Sequence, residues 1–271
     1  MTGPTVALRG AAAQHNLESG ADVVELASWP GLSSAAQSID VPLDEGAIAR
    51  FDRYRNLLLE WNARLNLTAM RDADAIDRVL ILDALAMIPT LDQFLDRTER
   101  AKSGVSLIDI GSGAGFPGLV LKIARPDLNV TLVDATAKKV AFLTAAIDHL
   151  ELTEVRALHG RAETLGQDQR YRGRFDLATA RAVASLPVLL EYVVPLLRIG
   201  GSALMPKGIE ITDELRAGRQ AAGKLGARIV SADQSALPTT RLVVAEKIAP
   251  TPGRYPRRIG VPSQCPLPGE N

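Results

Sequence analysis

The largely apolar run 105–110 ends in three glycines spaced Gly111-x-Gly113-x-Gly115, and this junction constrains the chain more than any other feature. A run with little polar alternation suits a strand buried on both faces, as in a parallel sheet. Glycines directly after it let the backbone turn sharply and approach a ligand, with a helix opening near Pro117. The rhythm then repeats. Strands are predicted over 130–133, 155–159, 175–180, 202–205, 228–231 and 241–246, with helices over 117–124, 138–150, 186–197 and 216–225. Such alternation implies a doubly wound α/β sheet.

Seven strands, the last two following the final helix, fit a Rossmann-like class-I methyltransferase sheet, mostly parallel, better than a six-stranded dehydrogenase sheet. Ahead of the first strand, Ile48, Phe51, Tyr54, Leu58, Trp61 and Leu65 recur at steps of three and four, one face of a helix over 44–66 with Asp44 as its N-cap. Further helices are predicted over 73–85 and up to about 97. The expected organisation is a disordered extension over 1–42, with a short helix near 22–27, and an N-terminal helical cap over 43–100. A methyltransferase domain over 101–250 and a basic, Pro-rich tail over 251–271 complete it.

The 271 residues carry 31 basic and 31 acidic side chains, so no net charge draws the chain to nucleic acid. The distribution is uneven: from Arg241 onward five basic residues face two acidic ones. That stretch is either a locally basic edge or a solvated tail. One cysteine, Cys265, excludes an internal disulfide and a multi-cysteine zinc site, and no metal is expected. Neither a secretory signal nor a membrane-length apolar run is read from the sequence, so a cytoplasmic location is expected and no membrane partner. Nothing indicates an oligomer.

The loop chemistry narrows the cofactor. Phe116 stands where the dinucleotide pattern places its third glycine. Asp109 precedes the loop; an acid there suits the cationic amino group of a methionine moiety and is a poor neighbour for a pyrophosphate. Asp134 ends the second strand nineteen residues beyond Gly115, where a carboxylate accepts hydrogen bonds from ribose hydroxyls. These features point to S-adenosyl-L-methionine, bound by Asp109, Gly111, Gly113, Gly115 and Asp134. Ala162 and Glu163, after the third strand, are candidates to border the adenine. Arg181 follows the fourth strand, where a cation is costly unless paired or facing a cleft. Lys207 follows the fifth, on the same edge. Arg181 and Lys207 are the candidate catalytic residues.

Missing motifs narrow the reaction. Cys265 is poorly placed to be the covalent nucleophile of pyrimidine C5 methylation. The loop after strand four reads Ala180-Arg181-Ala182-Val183, not the Asn/Asp-Pro-Pro-aromatic signature of exocyclic amine methylation. No acid ends that strand, as ribose methylation would want. A ring nitrogen such as guanine N7 fits, because its lone pair attacks without losing a proton and needs alignment more than a base.

Together, Glu60-Trp61-Asn62, Asn66-Leu67-Thr68-Ala69, Ile81-Leu82-Asp83, Asp109–Gly118, Ala180-Arg181-Ala182 and Lys207-Gly208 resemble the RsmG/GidB family over about 44–262. The resemblance implies N7 methylation of a guanosine in 16S rRNA, met within the small ribosomal subunit or an assembly intermediate. It also implies that Gly111, Phe116, Ala162, Glu163 and Arg181 line the S-adenosylmethionine site. The Asn-Leu-Thr and Leu-Asp segments would lie over the cleft, and the segment 254–262 would be a plausible RNA contact. The chain departs from the pattern at Leu80 and Ala84, where many members carry His and Ser. Methylation of a small molecule or protein, an NAD-dependent oxidoreductase and a catalytically inactive RNA-binding module are the alternatives.

Overall fold

The computed structural model describes residues 29–97 and 104–267. The strands are β1 (Ser106–Ile110), β2 (Asn129–Asp134), β3 (Val155–His159), β4 (Phe175–Thr179), β5 (Leu197–Lys207), β6 (Ala227–Gln234) and β7 (Arg241–Lys247). They form one sheet in the order β3-β2-β1-β4-β5-β7-β6. β1 through β5 pair in parallel, and β7 runs antiparallel between β5 and β6. This is the class-I methyltransferase topology that the strand count led us to expect. Chain order reverses between β1 and β4, the place where an open α/β sheet leaves a crevice at its carboxyl edge.

Side chains alternate across the sheet, so two apolar layers form. Leu107, Leu132, Leu177 and Leu204 enter one, beneath the helices Glu45–Leu65, Gly118–Ala124 and Ala137–His149. Ile108, Val133, Ala178 and Met205 enter the other, beneath Leu186–Val193 and Thr212–Leu225. The N-terminal helices share the first layer, so their core is continuous with the sheet's.

Local sequence sets several boundaries. Asp44 caps Glu45–Leu65, accepting from the Ala47 amide at 2.6 Å, as its position predicts. The helical stretch 73–85 contains a π-helical segment, Ile76–Ile81, that periodicity did not show. Residues from Leu32 to Val41, read as part of an extension, depart from that reading: Leu32–Gln37 is helical, and Leu32, Ala36 and Val41 are buried, because their apolar groups find the first layer. The helix expected near 22–27 lies outside the described residues. β5 is also longer than predicted. It passes through Gly200 and Gly201, and the register against β4 shifts there. A Cβ on Gly201 would lie 2.8 Å from the Asp176 carbonyl oxygen, so the glycines permit a bulge inside the strand.

The C-terminal segment is packed against the body. Arg172 donates to the carbonyl oxygens of Gly166, Tyr255, Thr251 and Pro252 at 2.6–3.2 Å. Arg257 pairs with Glu191, whose side chain is fully buried, at 2.7 Å. Among the described residues no helix is long and apolar enough to cross a membrane.

Candidate cofactor loop and substrate cleft

The glycine loop hangs from the carboxyl ends of β1 and β2. The Gly111 and Ser112 amides both donate to the Val133 carbonyl, at 2.8 and 3.0 Å. Gly111, Gly113 and Gly115 have φ of 73°, 59° and 104°, a region side chains disfavour. Around Gly113 the loop is open: a Cβ there would meet nothing closer than the Gly111 carbonyl oxygen at 3.8 Å. Gly118 is the opposite case, with no room for a Cβ beside Leu132 and the Asp109 carboxylate.

Two carboxylates organise this loop. Asp134 accepts from the Gly113 amide at 3.0 Å and the Thr136 amide at 2.8 Å, with Lys139 at 3.8 Å. It therefore already braces the backbone that a ligand would approach. Asp109 is fully buried and accepts from the Gly118 amide at 3.1 Å through Oδ2. Its Oδ1 is buried with no hydrogen-bond partner among the described residues. Burial pushes the Asp109 carboxyl up to about 7; the nearby Ser112 hydroxyl, the Gly118 amide and the more distant Arg181 guanidinium only partly oppose it.

Tyr54, which periodicity places on the core face of its helix, has a second task. Its hydroxyl donates to the Ala114 carbonyl in the loop, and its ring lies 5.6 Å from Phe116. Burial raises the Tyr54 pKa well above its ordinary value, keeping the hydroxyl a donor. Only the hydroxyl's reach to the loop escaped sequence reasoning.

Arg181 and Lys207 come together in a separate cleft of about 430 Å³ at the same sheet edge. Arg181 is paired: its Nε lies 3.1 Å from Asp83 Oδ2, and Nη2 donates to the Val79 carbonyl at 3.0 Å. Lys207 pairs with Glu214 at 2.7 Å and donates to the Ala184 carbonyl at 3.2 Å. Neither cation stands bare, so each is held in place. The loop after β4 joins this cleft to the glycine loop. Ala182 there has a φ of 52°, unusual for a residue with a side chain. Next to it, Val183 packs onto Gly111 so closely that a Cβ on Gly111 would lie 2.5 Å from Val183 Cγ2.

Ala162 and Glu163 lie elsewhere along the edge, at the start of the helix Ala162–Gln167. Glu163 is buried and accepts from the Gly260 amide at 3.0 Å. It lines a groove of about 620 Å³ with Arg254, Arg257 and Arg258. Asp109, Asp134 and the glycines are thus gathered at one place, Arg181 and Lys207 at a second, and Glu163 faces the C-terminal segment.

Comparison with known proteins places the chain among relatives of one name. The family model described as GidB, rRNA small subunit methyltransferase G, matches residues 47–242. A protein of Chloroflexus aggregans named ribosomal RNA small subunit methyltransferase G is 49% identical over 230 residues, 84% of this chain and 93% of its own length. Proteins of the same name from Roseiflexus sp. (strain RS-1) and Alkaliphilus metalliredigens are 43% and 38% identical, each alignment covering 87% of this chain and 98% and 97% of theirs.

Proposed function

The chain belongs to the rRNA small subunit methyltransferase G family, S-adenosylmethionine-dependent enzymes that modify rRNA, and on that premise we propose that it methylates N7 of a guanosine in 16S rRNA. The substrate is met within the small ribosomal subunit or an assembly intermediate, in the cytoplasm. The observation that carries the cofactor reading is the orphaned Asp109 Oδ1, buried beside an open glycine loop. A buried acceptor without a donor is costly, and an ammonium group placed there would satisfy it. S-adenosylmethionine supplies such an ammonium at one end and a methyl group on a positively charged sulfur.

The chain's own residues bind and orient. Asp109 holds the amino group, Asp134 accepts from the ribose hydroxyls while bracing the Gly113 amide, and Gly111, Gly115 and Phe116 shape the loop's floor. Ala162, Glu163 and Arg181 complete the cofactor's surroundings, and Arg181 and Lys207 face the substrate. Such a site works by alignment and fixed charge, as attack by a ring nitrogen requires. Arg254 and Arg258, in the packed C-terminal segment, are suited to RNA phosphates.

The test is direct. Purified protein, S-adenosylmethionine and small subunits from a strain lacking its own family member are incubated, and 16S rRNA is mapped by mass spectrometry. One new N7-methylguanosine is expected. Methylation of protein or of another rRNA position, or none, would reject the assignment.

A further inference from the structure

The cleft holding Arg181 is built from four segments distant in sequence: the π-helical turn at Arg78–Val79 with Asp83, the loop after β4, the end of β5 at Pro206–Gly208, and the β6–β7 turn at Thr239–Thr240. Its volume, about 430 Å³, lies in the range of pockets that take one small ligand. π-Helical turns of this kind recur at functional sites.

Asp83 is the cleft's organiser. One carboxylate oxygen faces Arg181 Nε at 3.1 Å, and the other accepts from the Thr240 hydroxyl at 2.7 Å, so it ties the helical cap to both sheet-edge loops. The guanidinium is then fixed by Asp83 and the Val79 carbonyl. Its Nη1 remains buried with no partner among the described residues, as does Arg78 Nε in the same cleft. The unsatisfied groups are donors. Two unsatisfied donors in one cleft suit a base edge that presents acceptors, as guanine does with O6 and N7, and disfavour adenine, whose amino group stands where O6 would be. Around this charged interior Val79 and, one residue beyond the lining Ala182 and Gly208, Val183 and Ile209 are exposed aliphatics. They suit the faces of a planar ring. Val183 also packs on Gly111, so the loop after β4 is shared between this cleft and the cofactor loop.

We propose that this cleft receives the target guanine extruded from the RNA, that Arg181 Nη1 donates to its O6, and that Asp83, buttressed by Thr240, is the positioning residue that holds the guanidinium there. The inference rests on the methyltransferase reading above. A donor at O6 fixes the ring and leaves the adjacent N7 lone pair free. That pair forms the new N–C bond as the S–C bond breaks, its electrons staying on sulfur, and no proton moves. The product ring is cationic. Asp83 offsets the charge of Arg181, so the cleft does not repel what it makes.

The experiment uses the full chain and small subunits assembled with 16S rRNA carrying, at the target position, either guanosine or 2-aminopurine riboside, which keeps N7 and lacks O6. Wild type is expected to favour guanosine by about 10- to 100-fold, the scale of one hydrogen bond to a charged donor. Asp83→Asn and Thr240→Val should lower the rate on guanosine and leave the rate on 2-aminopurine near wild type, collapsing the preference; Thr240→Ser should restore it. Equal losses on both substrates would reduce Asp83 to a structural role and overturn the proposal, as would a wild type indifferent to O6. A wild type that methylates neither substrate overturns the methyltransferase reading itself, a distinguishable failure.

Discussion

Replacing Asp109 with Asn separates what the loop needs to bind from what it needs to be stable. A carboxyl held at about 7 when folded, against an ordinary 3.8, keeps its proton in the native state while the unfolded chain has lost it. Folding stability therefore falls as pH rises from about 4 to about 7, and the penalty stays constant above that. At about 1.4 kcal/mol per tenfold change in proton affinity, the span sets an upper limit of about 4 kcal/mol at pH 8. Asn carries no charge, and its amide oxygen still accepts from Gly118. Its amino group inherits the orphaned position of Oδ1, at a cost of about 1–3 kcal/mol. The cofactor-free Asp109→Asn protein should be about 1–3 kcal/mol more stable than wild type at pH 8 and less stable at pH 4, where the wild-type penalty has nearly vanished. Urea unfolding across pH 4–8 measures this as a difference between the two proteins that changes sign. Affinity for S-adenosylhomocysteine, measured by calorimetry, should fall at least tenfold in the variant. A stability difference that does not vary with pH would refute the reasoning, since it would mean that Asp109 is already ionised in the fold.

The same carboxyl predicts that wild-type affinity for S-adenosylhomocysteine tightens from pH 6 to pH 8, with proton release seen as a dependence on buffer ionisation enthalpy; release of no proton would count against the Asp109–ammonium contact. Asp134→Ala should weaken cofactor binding by about 1–3 kcal/mol, because the ribose loses an acceptor and the Gly113 amide its brace; an unchanged dissociation constant would remove this carboxylate from the site. Arg257→Ala leaves the fully buried Glu191 without its cation and should cost about 3–5 kcal/mol in chemical denaturation, whereas a loss below 1 kcal/mol would mark the pair as dispensable. Tyr54→Phe should cost about 1–3 kcal/mol by orphaning the Ala114 carbonyl, with a denaturation slope equal to wild type; no loss would mean that water replaces the hydroxyl.

The sheet was legible because parallel strands buried on both faces write themselves as apolar runs: Leu107-Ile108 and Leu132-Val133 each feed both layers. The glycine loop was legible because its backbone angles require glycine, and Asp109 and Asp134 because each stands at or near the end of an apolar strand beside that loop. What depended on partners far along the chain was not. Leu32–Gln37 is too short to show a period and folds because the first layer accepts it. Gly200 and Gly201 lie outside the predicted strand 202–205, and only pairing with the neighbouring strands makes them part of β5. Arg181 could be marked as a cation needing an explanation, but its tie through Asp83 to Thr240 spans segments that only the tertiary fold unites.

The guanidinium of Arg172 has four carbonyl acceptors, and three of them belong to Thr251, Pro252 and Tyr255 near the C-terminus. A chain shortened before Thr251 would strand a partly buried cation against the connection between β3 and β4. The damage would therefore be felt in the body of the sheet and not at a dispensable end. The stretch from Thr251 to Tyr255 therefore acts as a keystone: it lies beyond the last strand in sequence, yet it closes the shell around a cation rooted among the earlier ones.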